Sequence, residues 1–282
     1  MPDLFGLAAI ITKFLLYLGV ITATGTVMAA LVFKFDRTRG LAATFAALGL
    51  FATILSFSLR GAILTGDVSG MTDPIMLNLL WSTPVGTALA LRVVGLSLLL
   101  VGLFLGHIGA LASVLGGLIA LFSFTQIGHI SGSEAAFMKI TLMLHLVAIA
   151  LWIGVLTPLN RLASSSKTHV SAADVGHQFG LVASFTVPLL IVVGAYMGYQ
   201  LVGSFNALVE TSYGQALIIK VLLVGGLLGL AAANKLRFIP ALRLGDPVAA
   251  VHLSKSIYLE WFIILTVLGT TAVLTSNLTL PI

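Results

Sequence analysis

The stretch AAFMKITLMLHLVAIALWIGVL, residues 135–156, decides the fold. Its only charged side chain is Lys139, and its one imidazole, His145, falls near the middle. Its length matches the roughly 20 apolar residues a helix needs to cross the hydrocarbon of a bilayer. Backbone groups in lipid must be bonded within their own segment, so a helix is the expected form. Seven more segments of this kind lie on either side, at 4–33, 41–63, 85–106, 108–128, 180–202, 215–233 and 257–276. Together they predict an all-α integral membrane protein, a bundle of eight transmembrane helices forming one domain over residues 1–282. A closed barrel would need short alternating segments, and the chain has none.

Composition agrees. Hydrophobic residues are 59% of the chain and charged residues 8%, which excludes an ordinary soluble domain. The 29 glycines suit helices that pack closely in lipid. The chain has no cysteine, so thiolate metal sites, disulfides and a cysteine nucleophile are excluded. No P-loop is present, so ATP does not drive any transport from within this chain, and nothing points to an enzyme.

The net charge of +5 resides in short loops, which argues for orientation in a membrane and against nucleic acid. Lys34, Arg37 and Arg39 follow the first segment, and Arg161 and Lys167 the fifth. Lys235, Arg237, Arg243 and Lys255 follow the seventh. The opposite loops carry Asp67, Asp73, Glu134 and Glu210, with Arg60 at one edge. The positive-inside rule then predicts basic loops in the cytoplasm and both termini on the outer, periplasmic side. The first segment follows an acidic start and is too long for a signal peptide, so it reads as a retained helix. The long outer loop, 61–84, reads as irregular or built from short helices.

Polar groups inside a membrane are costly, so the few present are functional candidates. His145 lies about 16 Å along its helix if that helix starts near Glu134. Met138 and Trp152 stand seven residues before and after it, on nearly the same face, with Thr141 close by. A thioether and an imidazole suit copper, and the thioether favours Cu(I). The competing reading is that Met138 and Trp152 fill the core and His145 makes one hydrogen bond. Gln126 and His129 share a face at the end of the fourth segment. The turn that follows would bring His129, Glu134 and Met138 together, giving an outer site that leads to the deeper His145. Alternatively, His129 simply faces water. His107 opens the fourth segment, while His169, His177 and His252 read as solvated loop residues. Met71 and Met76 either pack or capture ions in the outer loop. Lys13, Arg92, Lys220 and Glu260 are expected to order the bundle by bonding to helix ends, and Glu260 is too far from Arg92 to pair with it.

Several stretches resemble the copper resistance protein D family. They are WSTPVGTALALR at 81–92, GlyHis at 128–129 with LHLVAIALWIG at 144–154, TSYGQALIIK at 211–220 running on to AAANKLR at 231–237, and TAVL at 271–274. The resemblance covers about residues 40 to 280, with departures at Gln215 and Lys235, where the family favours arginine. It implies a protein of the bacterial inner membrane that passes copper ions, Cu(I) or Cu(II), inward from a periplasmic copper-binding partner. By position, His129 and His145 inherit the metal role, while Met138 rests on spacing alone. Two alternatives stand beside it. A b-type haem redox protein would need two histidines at similar depth on facing helices. A scaffold without metal would use His145 and Met138 only for packing.

Overall fold

A computed structural model describes residues 4–127 and 134–276. They contain no β-strand, and eight of their helices are long and apolar enough to cross a membrane. The first half comprises α1 (Leu4–Phe33), α2 (Arg39–Thr65), the short α3 (Pro74–Trp81), α4 (Pro84–Gly102) and α5 (Gly106–Phe122). The second comprises α6 (Glu134–Ala163), α7 (His169–Val202), the short α8 (Phe205–Glu210), α9 (Ser212–Ala233), the short α10 (Ile239–Arg243) and α11 (Pro247–Leu274). A π-helical turn, Asn234–Phe238, joins α9 to α10, so these run on as one span.

The starts are written in the sequence. Asp73, Thr83 and Asp246 each cap the backbone N–H two residues on, and each is followed by a proline in the first helical turn. Such a side chain satisfies a donor the helix leaves unpaired, and proline lacks the N–H that would be wasted there. The connection between α2 and α4 holds α3 and a 3-10 turn, Val68–Met71, capped by Asp67. Bonds from the Ser69 hydroxyl and amide hold the exposed Asp67 carboxyl below the usual carboxylate range.

Three helices outrun their apolar windows. α6 continues through Pro158 to Ala163, α7 begins at His169, and α11 begins at Pro247. His169, His177 and His252 therefore stand on helices, not in the loops where hydropathy placed them. Hydropathy falls at the first polar residues, but i→i−4 bonding continues to the next cap.

α1 is the hub, packed against α2, α5, α6 and α11. Its residues from Gly19 to Val27 are buried without a break. That run, GVITATGTV, is made of small or β-branched side chains, which let neighbouring backbones approach. Approach is closest at the α1–α6 crossing, where a Cβ on Gly154 would fall 2.0 Å from the Gly25 carbonyl oxygen. α7 and α9 are different: they barely touch one another and turn Phe185, Val192, Val221 and Leu222 outward.

Candidate metal path and the Glu260 network

His145 lies on α6, and its Nδ1 is buried with no hydrogen-bond partner among the described residues. Across from the ring, α7 presents Gly194, where even a Cβ would stay 3.9 Å from the imidazole Cε1. A buried, unpartnered nitrogen backed by a glycine is a free donor in a space that a larger side chain would restrict.

Met138 is buried one turn from the start of α6, its sulfur 3.9 Å from the Thr141 hydroxyl. Seven residues of helix separate Met138 from His145 by roughly 10 Å. Side chains on a helix lean the same way, toward its N-terminus, so that separation persists at their tips. The two are successive positions on one face, not joint ligands of one ion. His129 lies outside the described residues, as does the side chain of Glu134. Among the described residues, no three His, Cys, Asp or Glu side chains gather as a metal cluster.

The third member of the stripe leads to a group the sequence left as structural. Trp152 Nε1 donates to Glu260 Oε2 of α11 at 3.1 Å, and Asn234 Nδ2 donates to Glu260 Oε1 at 2.5 Å. Trp152 and Phe179 of α7 meet edge to face, with ring centroids 6.2 Å apart. Glu260 is 1% exposed. It borders a cavity of about 310 Å³ between α6, α7, α9 and α11, shared with Leu156, Phe179, Ser184, Asn234 and Lys235. Lys235 Nζ donates to the Ser184 hydroxyl on its rim. Asn234 Oδ1 is buried and unpartnered. The stripe therefore runs Met138, His145, Trp152 and then crosses to Glu260. The sequence signals were present, a lone acid in a span and an Asn ending an alanine run, but nothing in it said they meet.

Two of the intramembrane cations, Lys13 and Arg92, bond at helix ends. Lys13 Nζ bonds the Thr275 carbonyl where α11 closes. Arg92 Nε donates to Ser123 Oγ at 2.8 Å at the end of α5, and its guanidinium lies 4.7 Å from the Phe124 ring centroid. Removing that acceptor leaves a buried charged donor unpaired. Ser123→Ala is thus expected to cost about 1–3 kcal/mol, seen as a lower unfolding temperature in detergent, while Ser82→Ala at an exposed turn should change little.

Comparison with family models now adds identity at the level of family. Residues 1–140 match the copper resistance protein D-like N-terminal domain, and residues 173–274 match copper resistance protein D. The chain belongs to the copper resistance protein D family, and so is a multi-pass membrane protein concerned with copper. No curated protein and no solved structure gives a match.

Proposed function

We propose that this protein carries copper ions across the bacterial inner membrane, from the periplasm toward the cytoplasm, along the face of α6 that holds Met138 and His145. The family supplies the ion. The observation that carries the path is the buried, unpartnered Nδ1 of His145, set in the middle of a spanning helix. An imidazole without a partner inside a membrane is an expensive arrangement unless something binds it. Met138, one step outward, offers a soft sulfur that suits Cu(I). His129, by its place in the sequence, would stand at the outer mouth and receive copper from a periplasmic copper-binding protein.

The orientation follows from charge. Lys34, Arg37, Arg161, Lys167, Arg237 and Arg243 belong to one set of connections and helix ends, and the positive-inside rule assigns that face to the cytoplasm. An even number of spans then leaves both termini in the periplasm. Ions entering beside the start of α6 would meet Met138 first and His145 second.

Copper content and optical spectrum of the purified protein test this reading, with wild type beside His145→Ala, Met138→Leu and His129→Ala. His145→Ala is expected to weaken copper binding roughly tenfold or more, as loss of a metal-site group does, with Met138→Leu affecting Cu(I) more than Cu(II). Unchanged copper affinity in a folded His145→Ala protein would overturn the path. A haem band that disappears with His145 would replace it with a redox protein.

A further inference from the structure

Glu260 is buried, yet the only ion pair within 4.0 Å among the described residues is Arg243–Asp174, which does not involve it. Its two hydrogen-bond donors, Trp152 and Asn234, are both neutral. An ionised carboxylate with no positive partner is strongly disfavoured in such a place and is neutralised instead. The neutralising charge has to come from a mobile species.

We propose that Glu260 is a proton-binding site of the bundle, exchanging its proton through the cavity it borders between α6, α7, α9 and α11. Amide oxygen and nitrogen are interchangeable in assignment. Turning the Asn234 amide places its Oδ1 against Glu260 Oε1, where it can accept from a protonated carboxyl. The proton then sits on Oε1 and bonds Asn234, while Oε2, as the carbonyl oxygen, accepts from Trp152 Nε1. On release, Oε1 gives up the proton to the cavity and the amide turns back to donate. Both states keep two hydrogen bonds on the carboxyl, which is what a reversible site requires. The π-helical turn that begins at Asn234 is the local irregularity that places Asn234 and Lys235 together on the cavity wall.

The surroundings leave the proton as the natural occupant. From the α9–α10 connection, Lys235 lines the cavity and is held on Ser184, while Arg237 lies over the Phe238 ring. α7 supplies Ser184 as its polar lining residue. α10 carries Arg243, already paired with Asp174. α6 offers Trp152, with His145 two turns outward and Arg161 beyond the cavity toward the loop. α1 has no titratable side chain between Tyr17 and Lys34. On α11 itself, His252 stacks on Phe238, and Lys255 and Tyr258 precede Glu260. The oxygen donors are too few to cage a hard metal ion, which takes about six or more oxygens.

Infrared spectroscopy of the purified, copper-free protein tests the site without requiring that the protein move copper. The wild type should show the carbonyl stretch of a protonated carboxylic acid that disappears on alkaline titration and shifts in deuterium oxide. Glu260→Gln should remove that band. Trp152→Phe should keep it but move it to higher frequency, because the carbonyl oxygen loses a donor. Failure of Glu260→Gln to remove any carbonyl band would overturn the proposal. So would a carboxylate band that persists across the pH range and answers to added copper or sodium ions instead.

Discussion

Gly154→Val abolishes the folded bundle, or leaves a protein whose unfolding temperature in detergent falls far below that of the wild type. At the α1–α6 crossing the two backbones touch. A Cβ on Gly154 would lie 2.0 Å from the carbonyl oxygen of Gly25 and 2.1 Å from its carbonyl carbon. On the other side, a Cβ on Gly25 would fall 1.8 Å from the carbonyl oxygen of Ala150. These obstacles are backbone atoms, which cannot rotate aside as a side-chain tip can. Relief requires the helices to separate, and α1 is packed on four sides. Overpacking a close-fitted core costs about 1–3 kcal/mol and occasionally more. Contact with main chain on both partners puts this site at or beyond the top of that range. Gly225→Ala and Gly229→Ala on α9, where a Cβ meets nothing within 4 Å, are the controls and should unfold as the wild type does. Size-exclusion chromatography after stepwise heating reads the difference, and a Gly154→Val protein as heat-resistant as Gly229→Ala would refute the packing argument.

The same crossing shows what a sequence does and does not reveal. The eight spans are legible because lipid imposes length and hydropathy on each segment independently of the others. Their ends are less so: Pro247 and His169 begin helices because caps and bonding, not apolarity, set the limits. His145 stands out as a lone imidazole in an apolar run, and its seven-residue relation to Met138 and Trp152 is plain from the numbering. That Gly25 meets Gly154 is hidden, because many glycines in such helices touch nothing, as Gly225 and Gly229 do. The Glu260 network is hidden for the related reason that its partners are 26 and 108 residues away. Periodicity reports which residues share a face of one helix. It carries no information on which face of which neighbour they meet. Glu260 reads from the sequence as one more residue bonding a helix end, and Asn234 does close α9, but its second partner, Trp152, stands on the stripe that carries His145.

Trp152→Ala should cost about 3–5 kcal/mol, the usual range for truncating a buried large aromatic residue. Trp152 is 6% exposed and packs in a T-shaped pair with Phe179, so the truncation opens a void between α6 and α7. Lipid gives helices no hydrophobic drive toward each other, so such packing contacts carry much of the association. Part of the loss has a different origin. Without the indole N–H, Glu260 Oε2 is left buried and unbonded, and Trp152→Phe isolates that part by keeping a ring against Phe179. Its cost is expected at about 1–3 kcal/mol, the desolvation of one unsatisfied buried acceptor. The separation can be checked in a Glu260→Met background, where no carboxyl remains to be orphaned. There Trp152→Phe should cost distinctly less, giving a coupling of about 0.5–3 kcal/mol between positions 152 and 260. Reversible unfolding in mixed detergent measures all four proteins of the cycle. Equal losses in both backgrounds would mean that Trp152 acts by bulk alone, and that the link from the His145 stripe to Glu260 has no energetic content.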